Sequence, residues 1–391
     1  MNLYAFELGR KKDLCFAELI VVLGKDKLKE RNLDTAIFEL KIPNYQGLQD
    51  RLGGTVKIIK LWASDEVANP SKIEPVIQKH LEEIFTDHKG KINFAVSALS
   101  FMKQSEINIK QILNFSKKIL KSLGLNSRFV NKNFENTKPS TIYKARVLEK
   151  GIDLNIIKGT EQLFLGETVA IQDIDNYSKR DYNKPKRDAR VGMMPPKLAQ
   201  IMINLAGPNT KTIYDPFCGC GSTLIEGLLM GKDVVGSDID QRLVDYSAEN
   251  LRWTAQEFQT KNTHRLFTKD ARFLIKENLP ERIEAVVTEG YLSEPISRLP
   301  APEIRQKVFR ELANLHLNWL TAVHRITPQN CKVVMCVAGF RKNNDKYRPE
   351  YEFLPRFNEL VQEAGYRVTA SYIYDRHDQI IVREVKVLEK I

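Results

Sequence analysis

A glycine-rich turn and a downstream aspartate have the residue types and the spacing of a nucleotide-type ligand site. The run Asp215-Pro-Phe-Cys-Gly-Cys-Gly221 follows a short apolar segment and leads into the apolar stretch Leu224 to Met230. Glycines at such a strand-to-helix turn let the backbone bend tightly and approach a ligand closely. Asp238 lies 23 positions beyond Asp215, at the end of the next apolar segment, where a carboxylate can accept hydrogen bonds from ribose hydroxyls.

A third position completes the predicted pocket. Asp270 follows the third predicted strand, where its carboxylate can hold an adenine amino group beside the Ala271 backbone. The competing interpretation is that Asp215 and Asp238 are solvated residues at strand ends. The predicted cofactor-binding residues are Asp215, Pro216, Phe217, Gly219, Gly221, Asp238, Ile239, Asp270 and Ala271.

Two other kinds of nucleotide loop do not fit the residues present. The stretch Gly219-Cys-Gly-Ser-Thr-Leu lacks the third glycine that a nicotinamide dinucleotide fingerprint places at the pyrophosphate-binding helix turn. The sequence also contains no Gly-Lys-Ser/Thr, which a P-loop requires. The site is therefore not predicted to be a dehydrogenase or an NTPase site.

An alternation of strands and helices places these residues on one sheet. Pro195 to Ala206 predicts a helix that begins at proline and has one apolar face. Strands are predicted at Lys211–Tyr214, Asp233–Ser237, Arg265–Thr268, Ile283–Thr288 and Lys332–Ala338. The runs Arg367–Tyr374 and Gln379–Leu388 are joined by too few residues for a crossover helix, so the last strand must be antiparallel. This α/β pattern, a parallel sheet with one antiparallel C-terminal strand, resembles the Rossmann-like fold of S-adenosylmethionine-dependent methyltransferases.

The N-terminal half has a different pattern, which predicts an α+β module. Phe16 to Leu23 and Ile107 to Leu123 have helical periodicity, whereas Thr55 to Leu61 and Ile92 to Ser97 are typical of strands. The run Arg51-Leu-Gly-Gly-Thr supplies a turn between them.

Composition and charge favour a polyanionic partner. Among 391 residues, 60 Lys and Arg exceed 49 Asp and Glu, giving a net charge of +11 that attracts phosphate backbones without specifying sequence. No apolar run reaches the roughly 18 residues of a membrane helix, and the first residues do not resemble a secretory signal. We therefore expect a cytoplasmic protein. The five scattered cysteines predict reduced thiols and no metal site.

Several runs together resemble the THUMP-containing RNA methyltransferases, in particular the tRNA guanosine N2-methyltransferases that act on position-10 guanosine. In the C-terminal half the matching runs are Arg187-Asp-Ala-Arg-Val-Gly-Met-Met-Pro-Pro-Lys-Leu-Ala, Asp215-Pro-Phe-Cys-Gly-Cys-Gly-Ser-Thr, Gly236-Ser-Asp-Ile-Asp240 and Thr288-Glu289. Upstream, the runs similar to the ferredoxin-like and THUMP segments are Phe6-Glu-Leu-Gly-Arg, Arg51-Leu-Gly-Gly-Thr-Val-Lys, Phe94-Ala-Val-Ser and Gly166-Glu-Thr-Val-Ala-Ile-Gln-Asp. The resemblance covers nearly the whole chain.

The resemblance implies a division of the chain and a set of partners. It implies a ferredoxin-like domain over residues 1–65, a THUMP-like RNA-binding domain over 66–172, a linker over 173–192 and a Rossmann-like methyltransferase domain over 193–391. The polar, aperiodic composition of 173–192 also indicates a connection. The implied cofactor is S-adenosylmethionine and the implied partner is tRNA, gripped at its acceptor end while the catalytic domain receives an extruded base. No membrane partner is expected, and the oligomeric state stays open.

The segment after the fourth strand departs from the family pattern. In the family it is Asp/Asn-Pro-Pro-Tyr/Phe, whereas here it is Thr288-Glu-Gly-Tyr-Leu-Ser-Glu-Pro295. The resemblance implies catalytic roles for Glu289, Gly290 and Tyr291: the carboxylate accepts the N–H of an exocyclic amine, and the ring stacks on the base. The alternatives are a non-catalytic RNA-binding protein with an eroded site, or a methyltransferase of ribosomal RNA or DNA.

Other polar residues carry weaker hypotheses. His377 and Asp378 form either a catalytic pair or, as the residue types favour, a solvated turn. The basic stretch from Arg341 to Arg348 is either an RNA-phosphate contact or an ordinary loop. A contact with the nucleic acid or with the cofactor carboxylate is considered for Arg180, Arg187 and Arg190.

Overall fold

The structure, a computed structural model, describes residues 1–63, 72–188, 193–279, 282–345, 347–376 and 379–391. The described residues form two compact units, Met1–Asp175 and Asn176–Ile391. Each unit has its own sheet and its own hydrophobic core.

The first unit is an α+β module, as predicted. Its strands are β1 (Asn2–Leu8), β2 (Leu28–Arg31), β3 (Thr35–Leu40), β4 (Thr55–Ala63), β5 (Ile92–Leu99), β6 (Ser127–Phe129), β7 (Gly151–Lys158) and β8 (Leu163–Ile171). Its helices are α1 (Lys12–Leu23), α2 (Tyr45–Arg51), α3 (Ile73–Phe85), α4 (Ile109–Ser122), α5 (Pro139–Lys144) and α6 (Val147–Lys150). The strands form one mixed sheet in the order β2-β3-β1-β4-β8-β7-β5-β6.

Helix α3 shows how sequence periodicity builds this core. Ile73, Ile77, Leu81 and Phe85 recur every four residues, so they lie on one face of the helix, and all four are buried. They belong to the same apolar cluster as Phe94 on β5 and the buried face of α4. Removal of this apolar surface from water stabilises the packing of α3 and α4 against the sheet.

Strands from both sides of the predicted boundary at residue 65 belong to one sheet. Strand β4 pairs with β1 on one side and with β8 on the other, both antiparallel, so residues 1–65 and 66–172 contribute to one continuous sheet. Both also lie within one compact unit. The physical reason is that an unpaired β4 edge would expose a row of backbone donors and acceptors, which β8 satisfies. Composition does not report a pairing between strands about 110 positions apart.

A buried ion pair ties together strands that are not neighbours in the sheet. Lys57 on β4 is 1% exposed, and its Nζ lies 3.0 Å from Asp153 Oδ2 on β7 and 3.2 Å from Ser97 Oγ. The Thr168 hydroxyl on β8 donates to the same carboxylate oxygen. Two charges this far from solvent are tolerated only when each is paired and hydrogen-bonded.

The second unit is an α/β sheet with the predicted antiparallel final strand. Its strands are β9 (Thr212–Asp215), β10 (Asp233–Asp238), β11 (His264–Thr268), β12 (Ala285–Thr288), β13 (Lys332–Arg341), β14 (Tyr351–Phe353), β15 (Tyr366–Tyr374) and β16 (Ile381–Lys390). The order is β11-β10-β9-β12-β13-β16-β15, with β14 beside β13. Strands β9 to β13 are parallel to one another, and β16 is antiparallel to both β13 and β15.

Helices cover this sheet on both faces. They are α8 (Pro196–Ala206), α9 (Ser222–Leu229), α10 (Gln241–Phe258), α11 (Pro302–Ile326) and α12 (Phe357–Glu363). The short helix α7 (Ile174–Ser178) precedes them and contains the position at which the two units divide. On β9 the ring of Tyr214 joins the apolar cluster of α11 and α12, whereas the neighbouring Ile213 packs near Gly227 of α9. Alternate residues of a strand point to opposite faces, so both faces of β9 are buried. Among the described helices, none has the length and apolarity needed to cross a membrane.

The predicted linker over 173–192 is largely part of the second unit. Residues from Asn176 onward belong to that unit, and Lys179–Asn183 form a π-helix after α7. The Arg180 guanidinium forms a buried ion pair with Glu226 of α9, with Nε 2.7 Å from Oε1. The backbone of Lys186 exchanges two hydrogen bonds with the Asn250 side chain of α10. The segment is polar because it pairs with polar partners on the helices; residues 189–192 lie outside the described ranges.

We predict that Lys57→Met destabilises the protein by about 3–5 kcal/mol, because Asp153 then keeps a buried charge without its cation. The double variant Lys57→Met, Asp153→Leu should regain part of that loss, because the Asp153 charge is also removed, whereas Glu7 Oε2, 3.9 Å from Lys57 Nζ, still loses its cation. Urea unfolding measures both. Lys60→Met on the same strand is the control, because Lys60 forms no ion pair with any residue that the structure describes. A double variant as unstable as Lys57→Met would contradict the prediction.

Candidate active site

The carboxyl ends of the parallel strands meet at a cavity of about 540 Å³. Strand β9 lies between β10 and β12, so the chain reverses direction along the sheet there, and such switch points form ligand crevices. The predicted site residues that line this cavity are Asp215, Pro216, Phe217, Gly219, Asp238, Ile239, Asp270, Ala271, Glu289, Gly290 and Tyr291. The structure therefore brings the cofactor candidates and the catalytic candidates together in one cavity.

The glycine loop is held in place from behind by α10. Ser247 Oγ donates to the Gly219 carbonyl at 2.9 Å, and Asn250 Nδ2 donates to the Cys220 carbonyl at 2.8 Å. Both side chains are buried and lie three residues apart on one helix face. Sequence reasoning missed this pair, although two small polar residues on the otherwise apolar face of an amphipathic helix are a usable signal.

Asp215 organises the start of the loop. It is 2% exposed, and its Oδ1 accepts the Phe217 N–H at 3.0 Å, with further hydrogen bonds from the hydroxyls of Thr223 and Thr288. Burial raises the pKa of Asp215 to about 7, and these hydrogen bonds only partly oppose that effect. The carboxyl group therefore joins the ends of β9 and β12 to the loop.

Asp238 closes the loop from the neighbouring strand. Its Oδ2 accepts the Gly219 N–H at 3.0 Å, and its Oδ1 accepts the Asp240 N–H at 3.1 Å. Burial raises the pKa of Asp238, and the backbone N–H donors oppose that rise. Each carboxylate oxygen has a second acceptor site, so Asp238 can also bind hydroxyls of a ligand in the cavity.

Asp270 is already oriented by its own neighbour. The Arg272 guanidinium binds its carboxylate, with Nη2 2.6 Å from Oδ2, and the Arg272 N–H donates to Oδ1 at 2.9 Å. These contacts lower the pKa of Asp270 and hold it ionised at the cavity wall, beside the buried Ala271. Ile239 lines the same cavity and is exposed.

Gly221 differs from the other predicted cofactor residues, because it does not line the cavity. It is the residue immediately before α9, with φ +84°, which favours glycine. A Cβ added there would lie 2.8 Å from Ser247 Oγ. Its role is therefore to let the loop turn into α9 against α10, and not to contact the ligand.

Glu289 lies directly after β12 and is bound by an arginine. The Arg383 Nε on β16 lies 2.6 Å from Glu289 Oε1, and the two side chains are 8% and 14% exposed. Burial raises the pKa of Glu289, and the charge of Arg383 opposes that rise. Both residues line the cavity, as does Gln379, which accepts a hydrogen bond from Arg383 Nη1 at 3.3 Å.

Gly290 and Tyr291 shape the rest of this segment. Gly290 has φ +68°, which proline cannot adopt, and its N–H donates to Thr288 Oγ1 at 3.0 Å. The absence of proline after Glu289 therefore reflects a different backbone path. Tyr291 is 49% exposed at the cavity, so its ring is accessible to a flat ligand.

The weaker arginine hypotheses have mixed outcomes. Arg341 is buried and paired with Asp375, so it does not offer a free cation to RNA phosphate. Arg180 is committed to Glu226, whereas Arg187 lies 5.5 Å from the ring centroid of Tyr182. Four other candidates lie outside the described residues: Arg190, Lys346, His377 and Asp378.

Comparisons with known proteins agree with this architecture. The family model of the RMKL-like methyltransferase domain (UPF0020) matches residues 184–288. The chain is 39% identical over 148 residues to the tRNA (guanine(10)-N2)-dimethyltransferase of Methanothermobacter thermautotrophicus, covering 36% of this chain and 41% of that protein. It is 27% identical over 267 residues to the enzyme of the same name from Methanocaldococcus jannaschii, covering 64% and 75%. The chain thus matches about two fifths of the first relative and three quarters of the second.

A solved structure shows the same fold. The crystal structure of TrmN from Thermus thermophilus superposes with a TM-score of 0.56 and 13% identity, and the superposition covers 100% of both chains. The predicted fold class is confirmed: the second unit is a Rossmann-like methyltransferase sheet.

We predict that Gly221→Ala weakens binding of S-adenosylhomocysteine at least tenfold, because the new Cβ displaces Ser247 and with it the loop. Gly231→Ala is the matched control. Gly231 also has a positive φ, of +72°, but a Cβ there meets no atom within 4 Å. The expected effect of Gly231→Ala is therefore only the backbone strain of an alanine at positive φ, about 1–2 kcal/mol in the folded state. Calorimetric titration measures both affinities. Equal losses of affinity would show that the Ser247 contact is irrelevant.

We also predict that Asp215 makes stability depend on pH. Because burial raises its pKa from 3.8 to about 7, the folded state binds the proton more tightly than the unfolded state. The folding free energy therefore becomes less favourable as pH rises from about 4 to about 7, by up to about 4 kcal/mol. Below about pH 4 this unfavourable contribution to the folding free energy vanishes, because Asp215 is protonated in both the folded and the unfolded state.

Asp215→Asn should remove this dependence, as measured by the difference between wild-type and variant unfolding free energies across that pH range. The exposed Asp245→Asn provides the control. A difference that does not change with pH would contradict the expected titration of Asp215.

Proposed function

We propose that the protein is an S-adenosylmethionine-dependent tRNA methyltransferase that modifies the exocyclic N2 amino group of a guanosine. The observation that carries the proposal is the Glu289 carboxylate, which lines the same cavity as the glycine loop and Asp238. The two archaeal relatives named for guanine-N2 dimethylation support the choice of amine and of tRNA. Cytoplasmic location is part of the same proposal.

The residues present fit the proposed cofactor. When bound, S-adenosylmethionine supplies a methyl group on a positively charged sulfur, which makes the methyl carbon electrophilic. Asp238 would bind the ribose hydroxyls through the acceptor sites that its backbone contacts leave open. Asp270 would accept from the adenine amino group, and the Gly219 backbone leaves room for the ligand to approach.

The chain's own residues then position the amine. The lone pair of an exocyclic amine is delocalised into the ring, so catalysis depends on alignment and on accepting the N–H bonds. Glu289 Oε2 makes no hydrogen bond within the described ranges, so it is available to accept an amine N–H and its proton. The half-exposed Tyr291 ring would stack on the base.

Burial of Glu289 predicts the acid limit of activity. Because desolvation raises its pKa, the carboxylate is protonated at a higher pH than an ordinary glutamate, and a protonated carboxyl is a poorer acceptor. Activity should therefore fall on the acid side at a pH above the ordinary range of glutamate.

The first unit supplies a candidate RNA surface. Helix α4 carries Lys110 and Lys117, whose Nζ atoms lie 5.1 and 5.8 Å from the ring centroids of Phe134 and Phe129. Phe134 is 40% exposed, and basic side chains interleaved with aromatic rings are typical of RNA-binding surfaces. We propose that residues 66–172 act as a THUMP-like tRNA-binding module next to a ferredoxin-like segment over 1–65.

The experiment is methyl transfer from labelled S-adenosylmethionine into total tRNA, followed by nucleoside analysis. We predict that Glu289→Ala lowers kcat at least 100-fold with cofactor affinity retained, because it removes only the amine acceptor. Asp238→Ala should instead lose cofactor affinity. Glu363→Ala, exposed on α12 and outside the cavity, is the control with full activity. Cofactor binding without transfer to any tRNA would favour a non-catalytic RNA-binding protein, whereas transfer to ribosomal RNA or DNA would reassign the substrate.

A further inference from the structure

Arg383 is a charged residue that lines the cavity beside Glu289 and has no role in the proposed function so far. It lies on the antiparallel strand β16, opposite Ala338 of β13, and reaches the segment after β12. Its side chain is 8% exposed, so it is neither a surface cation nor a residue that solvates freely. Burial of a charged guanidinium costs free energy, so its position beside the proposed catalytic carboxylate requires a physical reason.

The hydrogen bonds of this pair leave specific positions unused. Arg383 Nε donates to Glu289 Oε1 at 2.6 Å, and Arg383 Nη1 donates to Gln379 Oε1 at 3.3 Å. Arg383 Nη2 and Glu289 Oε2 make no hydrogen bond to any residue in the described parts of the chain. Because both side chains line the cavity, a ligand there meets donors from the guanidinium next to an acceptor from the carboxylate.

This arrangement of donor and acceptor matches one base edge. The Watson–Crick edge of guanine has the O6 acceptor, then the N1–H donor, then the 2-amino donor. A carboxylate can accept from N1–H and from the 2-amino group, while a neighbouring guanidinium donates to O6. Adenine reverses the pattern, with an amino donor beside the N1 acceptor, so both contacts would fail.

We propose that Arg383 is a specificity-determining residue that reads guanine O6 and, with Glu289, selects guanine over other purines. This inference rests on the proposed function, since it assigns the base recognised at the same site. Arg383 also holds the Glu289 carboxylate through the Nε contact, so the group that accepts the amine N–H stays aligned for it. A wrong base leaves the buried polar groups of such a site without hydrogen-bond partners, and the site therefore rejects it.

The test uses tRNA transcripts that carry, at the methylated position mapped by fragment mass analysis of the labelled tRNA, either guanosine or 2,6-diaminopurine riboside. The analogue keeps the 2-amino group but replaces O6 by an amino donor and N1–H by an acceptor. The wild-type protein should methylate the guanosine transcript with a kcat/KM about 100-fold higher. In Arg383→Met we expect this ratio to fall at least tenfold, because the donor to O6 is gone. A wild-type ratio near one, or an unchanged ratio in the variant, would overturn the proposal.

Controls separate specificity from folding and from the proposed function. Arg383→Met leaves Glu289 without a cation, so the neutral pair Arg383→Met, Glu289→Gln is measured beside it by thermal unfolding and by S-adenosylhomocysteine binding, which should persist in both. Arg367→Met is the matched control, because Arg367 lies on β15, is 65% exposed and pairs with Glu389 outside the cavity. Its discrimination ratio should equal that of the wild type.

If the wild type methylates no guanosine, the proposed function fails, and base reading is tested by binding alone. The probe is then guanosine 5′-monophosphate added to the protein loaded with S-adenosylhomocysteine, followed by NMR line broadening. Weaker binding in Arg383→Met than in Arg367→Met would support guanine recognition without catalysis, whereas equal binding would overturn it.

Discussion

The burial of acidic groups at the carboxyl ends of parallel strands is the constraint on which the second unit depends. Asp215, Asp238 and Glu289 each end or follow a strand at one cavity, and desolvation raises the pKa of all three. Such charges are stable only where donors surround them. Backbone N–H groups serve Asp238, hydroxyls and a backbone N–H serve Asp215, and a guanidinium serves Glu289. The loops around the cavity are shaped by the need to supply these donors.

The antiparallel strand β16 explains how Glu289 obtains its partner. It pairs along the length of β13 from Val333 to Phe340, so its residues are placed beside the segment that follows β12. Arg383 reaches Glu289 from there, although the two are 94 positions apart in the chain. A sheet with parallel strands alone would need another crossover to deliver the same side chain. The antiparallel pairing of β13 with β16 therefore brings Arg383 to the site and contributes to its chemistry.

The first unit also contains buried charged groups within its sheet. Lys57 and Asp153 are paired across the intervening strand β8, and the hydroxyls of Ser97 and Thr168 provide further hydrogen bonds to the buried pair. Strand β4 thereby connects the segments on either side of residue 65 through both backbone pairing and a side-chain ion pair. Cooperative behaviour of the whole unit follows from such long-range contacts, since neither segment completes its hydrogen bonding alone.

Local patterns determined much of this protein. The strands that carry the site, the glycine turn after Asp215 and the carboxylate of Asp238 follow from apolar periodicity and from the needs of a tight turn, which act within a few residues. The antiparallel end of the sheet followed from the short connection before β16. Tertiary structure alone decided that Gly221 packs on Ser247, that the polar segment after Asn176 belongs to the second unit, and that Glu289 meets Arg383. These depend on which distant side chains share a buried space, and burial is a property of the folded chain.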